Sequence, residues 1–295
     1  MIIVNSKGGL GNQMFQYALY LSLRKAGKDA QLCLEHFDWA SKEQNNKIVQ
    51  HGKKFLIEDI FDTTAVKASS SDIKRMSNVG MDFFSRAKRK LGIEKKTHLY
   101  EEKMGNPSFD LLKSLDNVFL DGYWQRFDYY DSSDEFIRKE FSFKKPLSGD
   151  NLAISQDIQK NNSVSLHVRR NDYLKLPSYV IQDEKYFSKA MQIAADVLSY
   201  PVFYCFSDDI EWCKQNLKSS DSQIVFVDWN TGSESYRDMQ LMSMCKINII
   251  TNSTFSMWAA WLNKNAKMVI RPYHYYTNTI LDQSFYWPTQ WIVPD

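Results

Sequence analysis

Between residues 164 and 263, short apolar runs alternate with amphipathic stretches at nearly constant spacing, and this rhythm constrains the fold more than any other feature. Residues 164–168, 202–206, 223–227 and 247–250 are of strand length and rich in β-branched and aromatic side chains. Between them, residues 184–198 place Phe187, Ala190, Met191, Ala194 and Leu198 on one helical face, and 210–217, 235–244 and 256–263 read as further helices. Strands separated by helices return to their sheet in parallel, so a doubly wound α/β layer follows. Ligands of such sheets bind beyond the carboxyl ends of the strands.

Polar residues gather at those ends. The run 164–168 contains His167 and leads directly into Arg169, Arg170 and Asp172. A guanidinium is a permanently charged planar fork suited to phosphate or carboxylate oxygens, so the group reads either as an anion site or as an exposed ion-pair cluster. Ser207, Asp208 and Asp209 follow the next strand, as a helix cap or as ligand contacts. Asn252, Ser253 and Thr254 open the last helix; with Thr251 and Ser256 they bring four hydroxyl residues into six positions, more than one cap requires, beside amides that favour phosphate. Asp238 begins the preceding helix, either as a first-turn charge on the dipole or as an acceptor for the N–H donors of guanine. Asp208 and Asp209 are adjacent, and no Asp-x-Asp triplet occurs, so the usual sequence sign of a divalent metal is lacking.

The first half is an irregular version of the same pattern. An apolar run at 2–5 meets Gly8, Gly9 and Gly11, and a helix is expected over 13–26. Met14 stands where a dinucleotide fingerprint has its third glycine, which disfavours a cofactor such as NAD. Gly9, Gly11 and Asn12 would still let backbone approach an anion or a sugar. Further strands are expected at 30–34, 54–57 and 118–120, and a helix at 132–141. Tyr123, Trp124 and Gln125 follow the last of these strands, as a sugar-facing corner or a packed one. Lys144, Lys145, Pro146 and Gly149 mark the best break, giving domains 1–147 and 148–295.

Composition narrows the partners. With 37 basic and 35 acidic residues in 295, the net charge of +2 gives no reason to expect a nucleic-acid partner, and any anion site must be local. Cys33, Cys205, Cys213 and Cys245 have neither zinc-site spacing nor the density of a disulfide framework. The N-terminus has no signal-peptide pattern, and no window approaches a membrane span. A cytoplasmic chain is expected. The basic stretch from Arg86 to Lys96 reads as a solvated helix face or, more sharply, as a peripheral contact with the anionic inner membrane.

The segments GGLGNQMFQYA (Gly8 to Ala18), GYWQRFDYY (Gly122 to Tyr130), HVRRNDY (His167 to Tyr173), FSDD (Phe206 to Asp209) and NSTFSMWAAWLN (Asn252 to Asn263) together resemble the bacterial, inverting, GDP-fucose-dependent α-1,2-fucosyltransferases. The His-x-Arg-Arg-x-Asp element is shared with α-1,6- and protein O-fucosyltransferases; the glycine and NSTFS segments point to the α-1,2 group. Met257 stands where many relatives carry a tryptophan. The resemblance implies a GT-B-like α/β fold, two Rossmann-like domains facing a cleft, with GDP-fucose on the C-terminal domain and a galactose-terminated oligosaccharide or lipid-linked glycan, as in O-antigen synthesis, on the N-terminal side. It implies diphosphate binding by Arg170 supported by Arg169, His167 near ribose or phosphate, Asp208 at the donor, Asp238 on guanine, and Asn252, Ser253 and Thr254 at phosphate, with Gly9, Gly11 and Asn12 among the donor contacts. Arg170 and Asp172, the latter as nominal base, would be catalytic, with no metal or cofactor. Another GDP-fucose-dependent transferase and a non-catalytic glycan- or nucleotide-binding protein are the competing readings.

Overall fold

The computed structural model describes residues 1–37, 54–80, 83–130, 134–277 and 283–294. The chain divides into two compact units, Met1–Lys144 and Lys145–Asp295. In the first, the apolar N-terminal run forms β1 (Ile2–Asn5), buried along its whole length as an interior strand of a parallel sheet must be. It continues through α1 (Leu10–Lys25) to β2 (Ala30–Cys33), and β3 (His98–Tyr100) and β4 (Val118–Asp121) complete a parallel sheet of order β2-β1-β4-β3. Helix α1 starts three residues before the expected helix, so Gly11 and Asn12 lie in its first turn and Gly9 is its N-cap.

The strand expected at 54–57 does not form. The Gln13 side chain, buried on α1, accepts from the Leu56 amide at 2.7 Å and donates to the Lys54 carbonyl at 2.9 Å. Those backbone groups are therefore satisfied by a side chain instead of a ladder, and a helix, Ile57–Ile60, follows. The helix expected at 132–141 is observed over Asp134–Glu140; residues 131–133 lie outside the described ones.

The second unit begins with α2 (Gly149–Lys160) and β5 (Ser163–Val168), followed by α3 (Glu184–Val197), β6 (Val202–Ser207) and α4 (Ile210–Asn216). Then come β7 (Ile224–Val227), α5 (Tyr236–Met242), β8 (Ile247–Ile249), α6 (Thr254–Leu262) and β9 (Met268–Ile270). All five strands are parallel, in the order β7-β6-β5-β8-β9. The central strand has two characters. Val164, Leu166 and Val168 point into an apolar core with Phe187, Ala190, Met191 and Ala194, whereas Ser163, Ser165 and His167 face the other side.

That other side is held by buried amides. Asn248 donates to the Ser165 hydroxyl at 2.6 Å and to the Met242 carbonyl at 2.8 Å, and Asn263 donates to Asn248 at 2.8 Å and to the Cys245 carbonyl at 2.6 Å. The network ties β5, β8 and the end of α6 into one layer, fixing the strand that leads into the arginines. Past β9 the tail turns back. Tyr276 bridges Tyr179, and the Thr277 amide donates to the Ser178 carbonyl at 2.9 Å. Residues 178–179, which follow the arginine segment, are thus docked against the tail.

Candidate active site

Strand register sets which residues meet at the carboxyl edge of the second sheet. Val168 pairs with Ser207 and Phe206 with Val227, while Leu166 pairs with Ile249. Hence Trp229–Asn230, Asp208–Asp209, Arg169–Arg170 and Thr251–Thr254 emerge in that order along one edge, after β7, β6, β5 and β8.

The two arginines are used differently. Arg169 grips Asp172 with Nε and Nη2, each at 2.8 Å, and its Nε lies 3.3 Å from Asp208. Its fork is occupied. The Arg170 amide donates to Asp208 at 2.9 Å, and its Nε donates to Asp209 at 3.3 Å while the guanidinium stacks 4.1 Å from the Trp212 ring centroid. Only Nε of Arg170 is engaged among the described residues, which leaves the two terminal nitrogens as donors for an anion.

Asp209 also caps α4, accepting from the Trp212 amide at 3.2 Å, so one carboxylate places both the guanidinium and the ring beneath it. Neither Trp212 nor Asn171, whose amide donates to the Asp208 carbonyl, is among the residues expected from the sequence. The spacing of Trp212, three residues after a capping aspartate, was the available signal.

His167 is buried and shares a 3.3 Å hydrogen bond with the Thr251 hydroxyl. Burial, reinforced by the Arg169 charge, depresses its pKa to about 3, so the imidazole is neutral at ordinary pH. It can hydrogen-bond a ligand without adding charge. Asn252 donates to the Tyr275 carbonyl at 2.6 Å, and its own carbonyl accepts from Tyr173 at 3.3 Å, so it is committed to structure. Ser253 is the N-cap of α6 but makes no side-chain bond to the helix amides, and Thr254 is part-exposed beside it. The first-turn amides of that nine-residue helix are thus not capped by the Ser253 hydroxyl.

Asp238 lies beyond β7 in a polar cluster apart from the arginine pairs. Asn230 donates to its carboxylate at 2.8 Å and to Asn151 at 2.8 Å, and the Trp229 indole donates to Asn151 at 3.0 Å. Burial raises the Asp238 carboxyl to about 7, against the lowering effect of Asn230.

In the first unit, the glycine loop is tied to the aromatic corner. Gln16 accepts from the Lys7 amide at 2.9 Å and donates to the Gly122 carbonyl at 3.0 Å, and Gln125 donates to Asn12 at 2.8 Å. The left-handed conformation falls on Gly8, with φ of 83°, and not on Gly9 or Gly11. Trp124, fully buried, also takes a positive φ of 55°, and Glu101 accepts from the amides of Tyr123 and Trp124 at 2.7 and 2.9 Å. The outcome of this strained corner is one ring, Tyr123, left exposed beside Lys7 at the carboxyl edge of β4.

The profile of glycosyl transferase family 11 matches residues 1–293 of this chain. The chain belongs to glycosyl transferase family 11. It is 31% identical to the O-antigen biosynthesis glycosyltransferase WbnK of Escherichia coli over 279 residues, 90% of this chain and 91% of the relative. It is also 29% identical over 304 residues to an alpha-1,2-colitosyltransferase of the same species, covering 99% and 98%. Among solved structures, the fucosyltransferase NodZ from Bradyrhizobium shares the fold, with a TM-score of 0.57 over 92% of this chain and 94% of that one at 14% identity. The family 11 chain is thus a glycosyltransferase built on two Rossmann-like, GT-B-like units.

In this family 11 chain the edge of the second sheet combines what a charged leaving group needs. Arg170 offers fixed cationic donors, α6 offers helix-start amides, and His167 offers a neutral donor or acceptor between them.

Proposed function

We propose that the protein transfers L-fucose from GDP-β-L-fucose to the 2-hydroxyl of a terminal galactose, with inversion and without a metal. The carrying observation is what gathers at the second sheet's carboxyl edge: Asp238, tied to Asn230 after β7, Arg170 after β5, and the start of α6 after β8. In this reading Asp238 accepts from the N1 and N2 donors of guanine. Arg170, Ser253, Thr254 and the α6 amides hold the diphosphate, and His167 and Asp208 line the same edge.

The acceptor oxygen forms its bond to the anomeric carbon as the bond to the β-phosphate oxygen breaks, and the hydroxyl proton passes to a base or to water. Negative charge grows on the phosphate, the group this reading gives to Arg170. In the first unit, Gly9, Gly11 and Asn12 are assigned to the donor, Gly11 and Asn12 through the turn they build, and Tyr123 to the acceptor.

The test is release of GDP from GDP-fucose by the purified protein in EDTA with a β-galactoside, followed by linkage analysis of the product. No release with either galactosides or N-acetylglucosaminides would leave only a binding protein; fucosylation of the latter alone would move the assignment to α-1,6. The 29% identity to a colitosyltransferase over nearly the whole chain favours one second reading, colitose as donor sugar. A higher kcat/KM for GDP-colitose than for GDP-fucose would select it.

Asp172 has both oxygens on Arg169. Asp172→Asn is therefore expected to raise the donor KM and to leave the acidic limb of the pH-rate profile, where a base is lost to protonation, intact; loss of that limb would make Asp172 the base.

The Asp238 carboxyl gives a pH signature. Its pKa is about 7 in the folded chain against an ordinary 3.8. A guanine reader must be ionised, so GDP affinity is expected to weaken roughly tenfold per pH unit below that value. Because the folded pKa is raised, its contribution to stability is complete below pH 4 and is lost as pH rises through 7. Asp238→Asn should abolish both trends; calorimetric titration and denaturant midpoints between pH 5 and 8 measure them.

A further inference from the structure

The helix Phe83–Lys90 in the first unit carries an arrangement that its charge run alone did not reveal. Ser85 is buried, and Arg89 donates to the carbonyls of Asn78 and Gly80, so these two residues, one turn apart, define the inward side. The helix then stops cleanly. The Gly92 amide donates to the Arg89 carbonyl at 3.0 Å and the Ile93 amide to the Lys88 carbonyl at 2.9 Å, with Gly92 left-handed at φ 66°, the paired bonds of a Schellman end. Asn78 donates to the Ile93 carbonyl at 2.8 Å and pins that end to the body.

A helix anchored this way has a fixed outward face, and that face is apolar. Phe83, Phe84 and Leu91 are 78%, 74% and 74% exposed, and Ile93 is 50% exposed just past the end. Helical spacing of 100° per residue places Arg86 and Lys90 on one flank of the Phe83–Phe84–Leu91 stripe and Lys88 on the other. Two exposed phenylalanines have no value to an isolated soluble surface, and bases on both flanks select a negatively charged counterpart.

We infer that this helix docks the protein on an anionic lipid bilayer, its rings entering the headgroup boundary and its bases meeting the lipid phosphates. The helix lies in the plane of the surface; no described helix is long and apolar enough to cross a membrane. The inference is independent of the donor and acceptor assigned above. Its source of specificity is the pairing of apolar stripe and basic flanks, since either feature alone gives only marginal binding.

Flotation of the full-length protein tests it, with phosphatidylcholine vesicles containing about one third phosphatidylglycerol, against vesicles of phosphatidylcholine alone. Binding to the anionic vesicles, weakened by high salt, is expected. The double change Phe83→Ser and Phe84→Ser, and separately Lys88→Glu with Lys90→Glu, should each lower partitioning by roughly tenfold or more. Both sets are exposed and none of them is assigned to substrate, so melting and turnover on a soluble acceptor should be unchanged. Equal flotation with neutral vesicles, or none with either, overturns the inference. So does sedimentation showing a dimer that the phenylalanine changes dissolve, which would give the stripe to a second copy of the chain.

Discussion

Arg170→Ala is expected to reduce kcat by roughly a hundredfold, about 3 kcal/mol of activation free energy, with the fold intact. The guanidinium is held before any ligand arrives. Asp209 fixes Nε at 3.3 Å, the Trp212 ring supports its plane at 4.1 Å, and the backbone amide of the same residue is fixed by Asp208 at 2.9 Å. Preorganised charge is most valuable where charge develops during reaction, so the loss should fall on kcat more than on donor binding. Arg170→Lys should recover little, because an ammonium can reproduce neither the bond from Nε nor the stacking. Near-normal turnover in a folded Arg170→Ala protein would remove this residue from the mechanism. Arg169→Ala should behave differently: its fork is spent on Asp172, so donor KM should rise together with a loss of stability.

Gly122→Ala is expected to destabilise the first unit by about 2 kcal/mol and to raise the acceptor KM while leaving GDP affinity unchanged. An added Cβ would lie 2.4 Å from the Glu101 Cβ and 2.5 Å from its Oε2. The first of these is attached to backbone and cannot swing away, and the second is the oxygen that accepts from the Tyr123 and Trp124 amides. Steric relief therefore loosens the corner that presents Tyr123. Thermal melting together with acceptor and donor titrations separates the two effects, and an unchanged melting temperature with unchanged acceptor KM would show that Tyr123 is an incidental surface ring.

The second unit was legible in the sequence because two periods coincide there. Val164, Leu166 and Val168 alternate with polar residues, and Phe187, Ala190, Met191 and Ala194 recur at helical spacing, so the strand and helix signals do not compete. The first unit gave weaker signals. The strand His98–Tyr100 has three residues and was missed, and so was Met268–Ile270 in the second. Residues 54–57 looked like a strand because nothing local announces that Gln13, far away in sequence, will take their backbone bonds.

The site was legible by residue type but not by division of labour. Arg169 and Arg170 are adjacent and chemically alike, and only the register of β5 against β6 determines which one Asp172 occupies and which one Trp212 supports. Likewise Asp209 is the cap and Asp208 is not, a distinction fixed by the chain reversal after Ser207. Asn252 sits among the hydroxyls at the head of α6 and yet serves the tail, through the Tyr275 carbonyl.

The docking of Thr277 on Ser178 and of Tyr276 on Tyr179 also has a temporal meaning. Synthesis runs from the N-terminus, so the arginines leave the ribosome long before the residues that clamp the loop behind them. The sheet can assemble through β8 while that loop is still unclamped; β9 and the returning tail come later. The anion-facing edge therefore gains its clamp only once residues 276–277 have been made, and a chain truncated after β8 has an arginine loop without that clamp.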